Sequence, residues 1–314
     1  MKVIYLTEPY NPNEISNDSI SLAMGFFDGV HLGHQKVIQE AKQKANEKNI
    51  KLAVMTFDKH PSVQFQKAPE QSVKYLTSME KKILLMKQLG VDIFYILTLN
   101  NSLAKMEPQD FVDKYMVALH AKVVVAGFDY TYGKKDIANM DTLPLYAKQK
   151  FEIITVPELA TNHQKISSSR IRMEIDNGHI SDVNKLLGYK YETLGKVVHG
   201  EARGRELGFP TLNLEFNEHI RIPGPGIYVT SVQVGDVWYR GMASIGYNVT
   251  FGKNRELTVE INLFDFNEMI YGQIVTVQWL AYLRSEVKFE GIPGLITQLN
   301  KDKKNTNTYF DQHI

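Results

Sequence analysis

The chain has 314 residues, 43% of them hydrophobic and 23% charged, with 36 basic against 35 acidic side chains and a formal net charge of +1. That length holds two ordinary domains, each able to bury its own core, and the composition excludes long disordered tracts. Balanced charge gives no general field for nucleic acid or an acidic membrane, so any phosphate chemistry must come from local geometry. The absence of cysteine excludes disulfides, thiolate-held zinc or iron–sulfur centres, and thiol nucleophiles. The opening Met1–Glu8 reaches an acidic residue after too short an apolar run for a signal peptide, and no segment approaches the roughly 18 apolar residues of a membrane span. A cytoplasmic enzyme is the expectation.

In the first half, apolar runs at Ser21–Phe27, Lys51–Phe57, Val91–Leu99, Lys122–Phe128 and Phe151–Val156 read as strands of a parallel sheet covered on both faces. Between them, Gly33–Lys48 carries Val37, Ile38, Ala41 and Ala45 on one helical face. Thr77-Ser78-Met79-Glu80 has capping-box spacing ahead of Ile83, Leu84 and Leu85. Pro108–His120 reads as a helix with an early proline. The alternation predicts an open, doubly wound α/β domain whose ligands sit at the carboxyl ends of its strands.

The pattern changes after Leu187-Gly188-Tyr189. Short runs at Gly226–Val234, Val237–Ile245, Leu257–Phe264 and Ile274–Leu283, with no helices between them, predict a small antiparallel barrel. A closing helix is expected from about Pro293 to Lys303. The domain boundary is expected within residues 186–194, dividing the chain into 1–187 and 188–314.

Gly25-Phe26-Phe27-Asp28-Gly29-Val30-His31-Leu32-Gly33-His34 falls between the first of these strands and its helix. Gly29 and Gly33 permit tight turning, and a helix start offers free N–H groups and a favourable dipole to phosphate. His31 and His34 at that start can both face an anion, as nucleotidyl transfer requires when charge builds at an α-phosphate. The competing reading is a pair of surface histidines. Ile166-Ser167-Ser168-Ser169-Arg170-Ile171-Arg172 follows the last strand of this half. Ser167 or Ser168 would cap a helix ended by Asn177-Gly178, placing Arg170 in the first turn against the dipole, where a phosphate partner explains a cation better than helix stability does. Thr56–Pro61 and Gly127–Gly133 also follow strands and so reach the same edge.

In the second half, Gly195–Gly200 leads into Glu201-Ala202-Arg203-Gly204-Arg205-Glu206-Leu207-Gly208-Phe209-Pro210-Thr211-Leu212-Asn213-Leu214. Gly200, Gly204 and Gly208 make a flap suited to phosphates. Thr211 and Asn213, two apart on an extended segment, face the same way, and their oxygens suit one hard cation such as Mg2+. Leu257, Val259, Ile261 and Leu263 alternate with Thr258, Glu260 and Asn262, leaving Glu260 opposite the apolar face as a candidate general base, or as an ordinary solvated carboxylate. Arg284 and Glu286 read first as a surface ion pair.

Taken in order, these motifs resemble the bacterial bifunctional riboflavin kinase/FMN adenylyltransferase family over essentially the whole length. Gly25–His34, Gly127–Gly133 and Ile166–Arg172 carry the resemblance in the first half; Gly195–Leu214, Pro225–Tyr228, Val259–Gly272 and Leu283–Phe289 carry it in the second. The resemblance implies a nucleotidylyltransferase-like domain and a kinase barrel that convert riboflavin to FMN and FMN to FAD at the expense of ATP and Mg2+. It implies that Gly25, Phe27, Asp28, His31, Gly33, His34, Asp129, Ser167, Ser168 and Arg170 bind ATP for adenylylation, with His31, His34 and Arg170 catalytic. It likewise implies that Gly200, Gly204, Gly208, Thr211, Asn213, Glu260 and Arg284 hold nucleotide or flavin in the kinase. There Thr211 and Asn213 would be the metal ligands and Glu260 the base. Lys59, Ser169, Leu212, Val249 and Asn262 depart from the family pattern. Expected partners are ATP, riboflavin and FMN, with weak self-association and neither nucleic acid nor membrane. The alternatives are an FMN adenylyltransferase with a weak or inactive kinase, a pantetheine- or nicotinate-type adenylyltransferase, and a flavin-sensing or nucleic-acid-binding module, the last opposed by the lack of a basic, aromatic stripe.

Overall fold

The computed structural model describes every residue except 66–68, 70–72, 162–163, 201–203, 205–206, 248–256 and 314. The flap residues Glu201-Ala202-Arg203 and Arg205-Glu206, and Val249-Thr250-Phe251, lie outside the described residues. Packing divides the chain into two compact units, Met1–Ser168 and Ser169–Ile314.

The first unit runs β1 (Lys2–Thr7), β2 (Ile20–Met24), α1 (Leu32–Lys48), β3 (Lys51–Phe57), α2 (Pro61–Phe65), α3 (Met79–Gln88), β4 (Ile93–Thr98), α4 (Asn101–Ala104), α5 (Pro108–Val112), β5 (Ala121–Gly127), α6 (Leu143–Ala147), β6 (Glu152–Val156), β7 (Ala160–Thr161) and β8 (Gln164–Lys165). Six strands form one parallel sheet in the order β1-β4-β3-β2-β5-β6. Every residue of β2 is buried, which is why its sequence shows no alternation. The chain leaves β2 towards β3 on one side while β5 flanks it on the other, so the carboxyl ends of β2 and β5 frame the topological switch point where such sheets bind ligands.

Several expectations shift by local physics. Lys2–Thr7 is a strand not anticipated, at the sheet edge with a half-exposed pattern. The cap of α3 is Ser78, whose hydroxyl accepts from the Lys81 amide, rather than Thr77 in a capping box with Glu80. The expected helix over 108–120 is α for one turn and then widens to a π turn over Asp113–Val117.

The second unit contains α7 (Ser168–Asp176, its first residue shared with unit one), α8 (Ile180–Leu187), β9 (Tyr191–Val198), β10 (Thr211–Phe216), β11 (Gly226–Val234), β12 (Val237–Gly246), β13 (Thr258–Leu263), β14 (Ile274–Arg284) and α9 (Ile292–His313). The strands close into a barrel, β10-β13-β12-β11-β14-β9. Tyr191, Tyr228, Val277, Trp279 and Ile261 are wholly buried and belong to the row of side chains that fills the lumen. The helices α7 and α8 pack with this barrel: Arg221 Nε donates to Asp176 Oδ1 at 2.6 Å and Asn184 Nδ2 to the Trp279 carbonyl at 3.0 Å. The barrel strands begin at Tyr191, inside the stretch where the composition changes.

The closing helix reaches His313, well past the expected end. Its buried residues are Asp302, Thr306 and Phe310, a stripe repeating every four residues that is two-thirds polar and so gives little hydrophobic period. Among the described residues no helix is long and apolar enough to cross a membrane.

Candidate active sites

The first candidate site is the turn between β2 and α1. His31 is the N-cap of α1 and is 5% exposed; its Nδ1 accepts from the His34 amide at 3.3 Å. An accepting Nδ1 leaves the ring proton to Nε2. The His31 and His34 rings stack with centroids 3.6 Å apart and planes at 16°, and the Phe27 ring meets His34 edge-on at 5.3 Å. Two imidazoles thus lie together at a helix entrance, where the first N–H groups and the positive dipole end favour anions.

The turn is held from below. Asp28 is 2% exposed, and its Oδ1 accepts from the Leu76 and Thr77 amides at 2.9 and 3.3 Å. The Thr77 hydroxyl accepts from the Gly29 amide at 3.1 Å. Phe27 and Val30 adopt φ of 54° and 37°, left-handed backbone that bulky residues hold only when their surroundings over-determine it. Asp28 and Phe27 therefore shape the turn from its buried side. Ser168 Oγ donates to the Asp28 carbonyl at 2.9 Å, and a Cβ on Gly33 would lie 3.2 Å from the His31 ring and 3.6 Å from the Ile166 carbonyl. The Ile166–Ser168 segment and the histidine turn are thereby brought together, as their motifs required. Gly25 sits beneath the Phe27 ring, and Ser167 is half-buried just before α7.

Asp129 follows β5 at the switch point. It is exposed and pairs with Lys165 Nζ at 2.5 Å, while Lys165 stands 4.6 Å from the centroid of the exposed Phe128 ring. His60, from the loop after β3, packs edge-on to Phe26 at 4.9 Å. Arg170 lies in the first turn of α7, in the stretch that packs with the second unit.

The second candidate site is on the outer face of the barrel. Asn213 on β10 is directly opposite Glu260 on β13, which is directly opposite Ser244 on β12. Thr211 Oγ1 donates to Glu260 Oε2 at 3.3 Å. Thr211, Asn213 and Glu260 are half-buried, whereas Val259, Ile261 and Leu263 between them point inward and are buried. The predicted alternation is present, and the three polar groups converge. Their donor set is all oxygen apart from the Asn213 amide nitrogen, which suits Mg2+ completed by water and phosphate. Among the described residues no group of three or more His, Cys, Asp or Glu could hold a metal ion.

Two of the three flap glycines are close-approach residues. A Cβ on Gly200 would fall 2.1 Å from Asn213 Nδ2, and one on Gly204 would fall 2.3 Å from the Phe209 carbonyl and 3.5 Å from Thr211 Oγ1. Gly200 thus lies against Asn213, and Gly204 against the Phe209 carbonyl and near Thr211. Gly208 has φ of 78° and open space around it. Arg284 lies on the same lateral row of the barrel as Glu260, through Ser244 and Ile227. Its guanidinium is bound to the buried Asp302 of α9 through Nε at 3.0 Å and Nη2 at 2.6 Å. The expected surface pair with Glu286 is replaced by this ion pair; the Glu286 carboxylate lies against Gly246 instead.

Three residues are given no role by the sequence. Asn262 is 6% exposed and donates to the Pro210 carbonyl at 2.7 Å, fixing the end of the flap. Ser244 completes the Glu260 row. Lys82 is 3% exposed, and burial lowers its pKa to about 8 against the opposing pull of Asp28. Its signal was legible: a lysine on the buried face of α3 beside Leu85 and Met86 breaks the helical pattern.

A parallel switch-point sheet with a histidine turn, and a closed barrel with glycines set against a Thr, Asn and Glu row, define a class: two-domain transferases that act on ATP. Residues 13–170 match the FAD synthetase family and residues 187–310 the riboflavin kinase family. The chain is 46% identical over 310 residues to the bifunctional riboflavin kinase/FMN adenylyltransferase of Listeria monocytogenes, covering 99% of this chain and 98% of that protein. It is 41% identical over 312 residues to the protein of the same description from Bacillus subtilis, with the same coverage. A solved structure from Streptococcus pneumoniae, described as a macrolide-efflux protein, superposes with a TM-score of 0.88 at 36% identity, over 98% of this chain and 99% of that one. The chain belongs to the bifunctional riboflavin kinase/FMN adenylyltransferase family, whose two activities build FAD.

Proposed function

We propose that each half performs one of two successive reactions at the site described for it, with the functional division at residues 1–187 and 188–314. In the barrel, the 5′-hydroxyl of riboflavin's ribityl chain attacks the γ-phosphorus of ATP. The bond to the ADP oxygen breaks, and the hydroxyl proton passes to Glu260. Thr211 and Asn213 would hold Mg2+, which when bound neutralises phosphate charge, while Gly200, Gly204 and Gly208 bring flap N–H groups to the nucleotide. At the histidine turn, a phosphate oxygen of FMN attacks the α-phosphorus of a second ATP and pyrophosphate leaves. No protein nucleophile takes part. His31, His34 and the first N–H groups of α1 meet the charge that develops, with Ser167, Ser168 and Arg170 binding phosphates and Asp129 holding nucleotide or flavin.

The observation that carries this reading is that each unit has its own convergent polar set: stacked His31 and His34 at a helix entrance, and Glu260 between Thr211 and Asn213 on paired strands. Both reactions draw on ATP, and the cytoplasm is the compartment assigned. Purified protein given riboflavin, ATP and Mg2+ should yield both FMN and FAD on chromatography. FAD formed only when FMN is supplied would leave the barrel without its assigned activity.

A further inference from the structure

Lys82 sits on the inward face of α3, 3% exposed, with Leu85 and Met86 as its buried neighbours. Its ammonium donates to the Phe26 carbonyl at 2.8 Å and stands 4.4 Å from the centroid of the Phe26 ring. The same carbonyl accepts from Thr56 Oγ1 at 2.8 Å. Taking an ammonium out of water is costly, and the Phe26 carbonyl already has a donor in the Thr56 hydroxyl. A lysine kept here therefore calls for a reason beyond holding the fold. Stability given up at a functional place is a common trade.

The place is informative. The carbonyl that Lys82 grips belongs to the peptide leading into Phe27, the first of the two left-handed bulky residues of the histidine turn, and the Phe27 ring is the one that meets His34. The stretch Leu76–Lys82 thus fixes this turn at three points: Phe26 through Lys82, Asp28 through the Leu76 and Thr77 amides, and Gly29 through the Thr77 hydroxyl. The titratable and charged groups around Lys82 are Asp28 from the turn, His60 and Tyr75 packed on the Phe26 ring, and Glu80 and Lys81 on its own helix.

We propose that Lys82 is a positioning residue for adenylyl transfer: it holds the Phe26 carbonyl at the entry to the histidine turn. The turn that sets His31 and His34 then keeps its shape. This rests on the reading that the first unit adenylylates FMN. The lowered pKa of about 8 adds a pH signature. The ammonium is charged below that value and loses its proton as pH rises through it, weakening its charge-assisted bond to the Phe26 carbonyl.

The test compares Lys82→Met and Lys82→Arg with the natural chain at full length, measuring FAD formation from FMN, FMN formation from riboflavin, and Tm. Lys82→Met should lower kcat for FAD formation by about 10- to 100-fold, the scale of a displaced catalytic group, with a smaller change in KM. Lys82→Arg should restore part of that loss. FMN formation should be unchanged when each variant is assayed well below its own Tm. In the natural chain FAD formation should decline through about pH 8, and that inflection should vanish in Lys82→Met. Retention of FAD formation within about two-fold with the same inflection would overturn the assignment. So would joint loss of both reactions and of Tm. Should Lys82→Met not fold, the natural chain decides: a rate that is level through about pH 8 overturns it. A natural chain that makes no FAD from FMN at all would instead sink the adenylyltransferase reading.

Discussion

The two candidate sites achieve convergence by opposite means. At the histidine turn the two imidazoles stand where irregular backbone enters a helix, and buried polar contacts with a distant segment hold that backbone in place: Asp28 on the Leu76 and Thr77 amides, Thr77 on Gly29. On the barrel, strand register does the work: Asn213 faces Glu260 because β10 and β13 pair there. A turn fixed from beneath is sensitive to groups that never touch substrate. A row fixed by register is sensitive mainly to what lies on top of it.

The sharpest way to break this comparison is to remove one group from each site. His31→Ala should cost FAD formation about 10²- to 10³-fold, the scale of losing one aligned donor to developing charge, and should leave FMN formation intact. Glu260→Ala should lower FMN formation about 10²- to 10⁴-fold, the usual contribution of a general base, and leave FAD formation from FMN intact. Separate assays on well-folded protein decide it. If either change damaged both reactions equally, the assignment of one site to each half would fall.

Next in size is Arg284→Met. The sequence suggested a surface pair worth little, but Asp302 is 1% exposed and would be left as an uncompensated buried charge. Breaking such a pair costs about 3–5 kcal/mol, so thermal denaturation should show a large loss of stability. Kinase activity measured well below the new Tm should persist if Arg284 serves only to seat α9. Its loss there would return Arg284 to the nucleotide or flavin site.

That residue shows what was legible in the chain and what was not. Strands buried on both faces announced themselves: Lys51–Phe57 and Gly226–Val234 were read to the residue. Glu260 and its partners were found because alternation on a strand is a local property. Arg284 was misread because its partner lies elsewhere, and Lys82, though it interrupts the buried face of α3, gives no local sign of what it grips. Asp302 is 18 residues from Arg284 and Phe26 is 56 from Lys82, and no local pattern reports such pairings. The far end of α9 was lost because Asp302 and Thr306, which should have marked its buried stripe, look like solvated residues until Arg284 is placed beside one of them. For the candidate site as a whole, the residue types were legible and the supports beneath them were not.

A smaller effect tests the flap. Gly204→Ala would put a methyl group 2.3 Å from the Phe209 carbonyl, so the backbone over Thr211 must shift. Kinase KM for ATP should rise about 10-fold, as expected when a close phosphate approach is lost rather than the chemistry itself. FAD formation from FMN should not change. An unaltered KM would remove the flap from the nucleotide site.

The smallest change expected is at Asp129, and it separates two roles cleanly. The carboxylate pairs with Lys165, but their side chains are 58% and 37% exposed, and an ion pair so open to solvent contributes about 0–1 kcal/mol. Asp129→Asn should therefore leave Tm within about a degree or two of the natural chain. If the residue also holds nucleotide or flavin, KM for FMN or ATP in FAD formation should rise a few-fold with kcat kept, the mark of binding lost equally from ground and transition states. Unchanged KM would mean that Asp129 holds neither nucleotide nor flavin, and that the carboxyl end of β5 meets substrate through other groups, of which the exposed Phe128 ring beside Lys165 is the nearest at hand.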